Sequence, residues 1–147
     1  MIRKKKKVKN KVFFPKIKNM GFRDWGSEDL LVLIPKILSL KKLTLKKGKK
    51  GGLQYHHKKN ECGILLSGKL KIRYDVGNLK LKERIIKPGE CFHFPPGSVH
   101  QEEAIEKCVI IEASTPHFND RVRVEEKYGI KKVSGLKSTK RSEVILK

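Results

Sequence analysis

A chain of 147 residues with 37% hydrophobic content supports one domain with one modest core and leaves no length for a second of ordinary size. Its net charge of +21 comes from 36 Lys and Arg against 15 Asp and Glu, yet residues 1–11 and 131–147 supply twelve of those charges; the excess is mostly Lys beside only 7% aromatic residues, which disfavours nucleic-acid binding, because strand-binding grooves interleave Arg with stacking rings. Cys62, Cys91 and Cys108 are scattered and form no C-x-x-C pair, which excludes a disulfide framework and a thiolate zinc site and fits a reducing cytoplasm.

Residues 1–11, "MIRKKKKVKNK", form a basic arm too polar to bury a core and are expected to be flexible. The "VFFP" that follows is too short for the apolar region of a signal peptide. "SEDLLVLIPK" reads as a short helical piece, and "LLVLIPKILSL" is interrupted by Pro35 and Lys36 well short of the roughly 20 residues a spanning helix needs, so no membrane role is expected. From "LSLKKLTLKKG" onward the texture is that of strands and turns. Leu38, Leu40, Leu43 and Leu45 are in near alternation before Gly48, and Leu70, Ile72 and Tyr74 alternate with Lys69, Lys71 and Arg73. "DVGN" signals a turn, "LKLKERIIKPGE" a strand closed by Pro-Gly, and "CVIIEAS" a buried strand. "DRVRVEEKYG" is a second short helical candidate, and 131–147 a second flexible basic tail. One all-β domain over 12–130 follows, a sandwich or barrel.

The chemistry concentrates in two stretches. In "GGLQYHHKKNECGILLSG" residues two apart on a strand share a face, so Gln54 and His56 project together while Tyr55 and His57 face the other way, and four residues then allow a hairpin before Glu61. "PGECFHFPPGSVHQEEA" brings His100 just after a Pro-Pro-Gly turn. Oxygen and nitrogen donors from neighbouring strands can thus converge, a set suited to a borderline divalent metal such as Zn, Mn, Fe or Ni. Taken singly, each of these residues reads more readily as a surface or packing side chain than as a ligand.

The spacing of Gly48, Gln54, His56, Glu61 and Gly68, followed by Gly89, Pro95-Pro96-Gly97 and His100, resembles the two motifs of the cupin superfamily over residues 38–114. Gln54 stands where the first His is usual, and Ala104 where an Asn is usual. The resemblance implies a jelly-roll β-barrel with one divalent metal held by Gln54, His56, Glu61 and His100. "LQYHHKKNECGILLSG" is most similar to the cupin domains of mannose-6-phosphate isomerases, and "IIEASTPHFNDRVRVEEKYG" resembles the ending of small sugar-phosphate isomerase-like cupins. These likenesses imply a metal-dependent aldose–ketose isomerase-like protein acting on a sugar or sugar phosphate. A non-catalytic cupin binding a sugar or small carboxylate is the alternative, and an iron-dependent dioxygenase a further one that Gln54 counts against. Glu102, Glu103 and His93 are the candidate proton-transfer groups. Lys58, Lys59, Arg121 and Arg123 are candidates for holding a phosphate. Cupins commonly pair through sheet edges, so a homodimer is expected, with "KVFFPKI" as a candidate segment for covering a partner's edge.

Overall fold

The computed structural model describes residues 10–147. Most of the basic arm expected over 1–11 therefore lies outside the described residues. In chain order the strands are β1 (Lys18–Arg23), β2 (Gly26–Ile34), β3 (Leu38–Leu45), β4 (Gln54–Tyr55), β5 (Glu61–Asp75), β6 (Leu81–Ile86), β7 (Cys91–Phe94), β8 (His100–Ser114) and β9 (Val122–Arg123).

Two long strands organise them. β5 and β8 pair antiparallel from Glu61 opposite Ser114 to Tyr74 opposite His100. Their register shifts three times between Leu65 and Leu70, and such irregularities bend a strand and increase its twist. Each strand thereby serves two sheet halves. On one side β3, β2 and β1 extend outward from the second half of β8, and β7 flanks the start of β5. On the other, β4 and β9 extend from the His100 end of β8, and β6 flanks the end of β5. The result is a curled, all-β jelly-roll half-barrel. Gly68 lies at the bend with φ of 96°, and a Cβ there would run into the carbonyl oxygen of Lys107 on β8. Only glycine fits both demands.

The core between the halves is built from alternating positions, including Leu65, Leu70 and Ile72 of β5 and Ala104, Cys108 and Ile110 of β8. β3 departs from the expected alternation. Its inward positions are Ser39, Lys41, Leu43 and Leu45, so Leu38 and Leu40 lie on the other face and a lysine is buried. The helix expected over "SEDLLVLIPK" is corrected: these residues form most of β2, joined to β3 by a tight connection and paired with it from Gly26 opposite Leu45 to Ile34 opposite Leu38. Its apolar run is rich in branched residues that suit a pleated surface, and the partner strand beside it overrides any helical preference. "DRVRVEEKYG" is part strand and part helix, with β9 followed by a 3-10 turn over Glu125–Tyr128.

The basic segment 131–147 lies along the barrel. Val133 accepts a hydrogen bond from Arg123 and Ser134 donates one to Asp24. The Thr139 backbone bonds Arg121, and Lys147 bonds both Pro116 and Lys36. No helix among the described residues is long and apolar enough to cross a membrane.

Candidate metal centre

Local rules place each donor. Gln54 opens β4 directly opposite His100, the first residue of β8, and two residues later His56 turns to the same face. Glu61 begins β5. The loop between His56 and Glu61 is fixed by Asp120, whose carboxylate accepts the backbone N–H groups of His57, Lys58 and Lys59 at 2.8, 2.6 and 2.8 Å. Burial acts to raise the Asp120 pKa, but these donors outweigh it and hold the group below its ordinary range. The Pro-Pro-Gly turn is tied to the same loop, because Gly97, at φ of 84°, donates its N–H to the His56 carbonyl at 2.8 Å. Phe94 stacks on the His100 ring with centroids 3.9 Å apart.

The result is a buried cluster in which His56, Glu61 and His100 each offer a donor atom within 4.8 Å of the others. The Nε2 atoms of His56 and His100 both approach Glu61 Oε1, at 2.9 and 3.2 Å. Their Nδ1 atoms face backbone carbonyls, Asp120 at 2.5 Å and Ser98 at 2.9 Å. A carbonyl can only accept, so each Nδ1 carries the hydrogen, which leaves each Nε2 as the atom that can offer a lone pair to a metal. Three donor atoms converging on one point form a set that could hold a cation. Carbonyl-anchored imidazoles with free Nε2 atoms beside a carboxylate fit a borderline divalent ion.

The cavity around this cluster measures about 530 Å³ and is strongly charged. Lys59 contacts Glu61 at 2.6 Å and Glu112 at 3.3 Å, and Lys41 contacts Glu28 at 2.6 Å. Burial alone would lower the Lys59 pKa, yet Glu112 and Glu61 raise it above its usual value. For Glu61, burial opposes ionisation, but the Lys59 ammonium holds its carboxyl well below the ordinary range. Burial, with Glu61 next, pushes Glu112 up to about 7. Burial and the charges of Glu112 and Glu61 also hold the Glu102 carboxyl well above its usual value.

The structure distributes the sequence candidates unevenly. Gln54 lines the cavity beside the cluster, and Glu102 lines its wall. His57 points away, its Nε2 facing the Thr139 carbonyl at 2.9 Å and its ring edge-on to Tyr55. His93 is exposed, bonds Asn60 at 2.8 Å and lines a separate cleft between β6 and β7. Glu103 faces Lys71 on the outer side. Lys58 is exposed, and among the four cationic candidates it alone does not line the cavity. Lys59 lies largely buried against the cluster, Arg121 lines the cavity, and Arg123 is held by Glu125 and the Val133 carbonyl. Reading by sequence missed Lys41, Glu28 and Glu112. The one signal was parity: Lys41 and Glu112 share the register of buried neighbours on β3 and β8.

Fold and site together define a jelly-roll barrel with a His–Glu–His cluster of metal-binding type in its mouth. Residues 41–114 match the family model described as the cupin domain, half of the chain, and this chain belongs to that family. Among solved structures it is similar to the capsular polysaccharide assembling protein CapF from Staphylococcus aureus, at 25% identity and a TM-score of 0.60 over 69% of this chain and 29% of that one. A second crystal form of CapF aligns with a TM-score of 0.63 and 24% identity over 74% and 34% of the two chains. This chain thus spans about a third of CapF or less. KdgF from Halomonas sp. shares the fold at 18% identity and a TM-score of 0.55, over 66% of this chain and 86% of its own. No curated protein sequence matches the chain.

Proposed function

We propose that the chain is a metal-dependent cupin acting on a sugar or sugar phosphate in the manner of an aldose–ketose isomerase. The observation that carries this reading is the convergence of two carbonyl-anchored Nε2 atoms on one Glu61 oxygen. His56, Glu61 and His100, with the Gln54 amide oxygen, would hold one divalent ion, which when bound supplies Lewis-acid polarisation of a carbonyl and its neighbouring hydroxyl. The protein's own residues do the rest. Glu102, at the cavity wall with its pKa held well above the usual value, would act as the proton-transfer group: its carboxylate form takes the C2 proton and the acid so formed returns it to C1. Lys59 fixes the orientation of Glu61, and the barrel walls limit access of bulk water. Likeness to a capsular polysaccharide assembling protein supports the carbohydrate context.

The reading extends to assembly and place. Val12, Phe13, Phe14 and Ile17 are 64–85% exposed just ahead of β1, whose outer edge has no partner strand among the described residues, which supports pairing with a second copy. Light scattering should give twice the chain mass, and the monomer mass would remove this part of the reading. Three free cysteines support a reducing cytoplasm. The functional test is turnover. Metal-loaded protein should interconvert an aldose and ketose sugar phosphate with exchange of the C2 proton into D2O, and Glu102→Gln should abolish the exchange. Metal-loaded protein that exchanges no proton from any hexose or pentose phosphate would overturn the isomerase assignment.

A further inference from the structure

The cavity is lined by two arginines with no ion-pair partner among the described residues. Arg23 closes β1 and Arg121 precedes β9, the outermost strands of the two sheet halves, so the pair flanks the opening above the metal cluster. Three other arginines have carboxylates: Arg73 meets Glu83 at 2.7 Å, Arg84 meets Glu90 at 3.6 Å, and Arg123 grips Glu125, while Arg141 on the exposed 3-10 turn Arg141–Glu143 has none. Among the described residues Arg23 and Arg121 have no ion pair. Arg121 gives one hydrogen bond to the Lys137 carbonyl at 3.0 Å, and Arg23 one to its neighbour's carbonyl at 3.3 Å.

The nearby acids are already engaged. Asp24 accepts from the Ser134 hydroxyl, the Asp120 carboxylate is filled by three backbone N–H groups, and Glu28 holds Lys41. Burial lowers the Arg121 pKa and the Arg23 charge lowers it further, against the opposing charges of Asp120 and Glu28. Two guanidiniums that line one cavity with most of their donors unused can both turn them to an anion lying between them. A guanidinium presents its donors in a rigid fork that matches phosphate oxygens, and two such forks suit a dianion better than a single carboxylate. The cavity of about 530 Å³ has room for a phosphorylated sugar-sized molecule.

We infer that Arg23 and Arg121 form a phosphate clamp at the cavity mouth, so that the ligand of this site is a phosphorylated small molecule rather than a neutral sugar. The inference rests on the metal-centre reading only for what the rest of the ligand touches. The test is calorimetric titration of the purified full chain with mannose 6-phosphate, mannose, glucuronate and inorganic phosphate, with metal content measured on every sample. Mannose 6-phosphate should bind at least about tenfold tighter than mannose, the effect of losing one charge-assisted hydrogen bond or more, and should weaken as salt rises. Arg23→Gln and Arg121→Gln should each remove most of that preference while metal content stays as in wild type. Arg121→Lys should restore part of it.

Equal binding of mannose 6-phosphate and mannose, no detectable binding of either phosphate at millimolar concentration, or an undiminished preference in both Gln variants would overturn the clamp. A preference for glucuronate would overturn the phosphate assignment. The two readings fail separately. Phosphate preference lost in the arginine variants of a metal-free wild type would uphold the clamp and sink the metal centre, whereas metal bound without phosphate preference would do the reverse.

Discussion

Replacing Lys59 by Met tests whether the charges under the metal cluster are held as the geometry implies. The ammonium touches both Glu61 and Glu112, so the two carboxylates lie no more than about 6 Å apart. Two unit charges at that distance repel by about 3 kcal/mol at an effective dielectric constant near 20. Breaking a buried ion pair by removing one partner typically costs about 3–5 kcal/mol. The loss should depend on pH in a definite direction. Glu112 is already raised to about 7 and would rise further without the cation. A carboxyl whose folded pKa exceeds its unfolded value favours the folded state when protonated, and that contribution fades as pH climbs from about 4.5 through the folded value. The variant should therefore lose roughly 1–2 kcal/mol at pH 5.5 and about 3–5 kcal/mol at pH 8. Urea unfolding in the presence of a chelator measures both, because a bound divalent ion would stand in for the missing charge. A loss under about 1 kcal/mol at both pH values, or a larger loss at the lower pH, would refute the reasoning.

Two further outcomes follow from the same site. Asp120→Ala should destabilise the protein by about 2 kcal/mol or more and loosen the His56–Glu61 loop, lowering metal affinity as well; because the Asp120 pKa is depressed, the wild-type advantage should be complete above about pH 4 and shrink below it, which melting curves along an acid series would reveal. Gln54→His should strengthen binding of zinc and Gln54→Ala weaken it, since imidazole is the better donor; competition with a chromogenic chelator reads both, and equal affinities in all three proteins would remove Gln54 from the ligand set.

Much of the barrel was legible because its signals are local. Alternation in "KLKIRY" and the Pro-Gly and Pro-Pro-Gly punctuation mark strands β5, β6 and β8 without reference to neighbours. The shared parity of Gln54 and His56 correctly separated them from His57, because a strand's period of two is set by covalent geometry. Other features depend on what lies across the sheet. "SEDLLVLIPK" becomes β2 through its pairing with β3, which no local pattern states. Lys41 and Lys59 are buried because Glu28, Glu61 and Glu112 meet them in the cavity, and a lysine among many lysines gives no hint of such partners. His93 and Lys58 offered suitable chemistry, but β7 carries the first to a separate cleft and the turn after His56 carries the second outward. The basic segment 131–147 resembles a solvated tail in composition, yet its contacts are largely backbone hydrogen bonds, which composition does not encode.

The central claim is that His56, Glu61 and His100 hold a divalent ion, and elemental mass spectrometry of the purified protein beside His56→Ala and His100→Ala tests it most directly. The account predicts about one metal per chain in the wild type and loss in both variants, each still folded by circular dichroism. A folded wild type that carries no metal and takes up none on addition of Zn, Mn, Fe or Ni would contradict it.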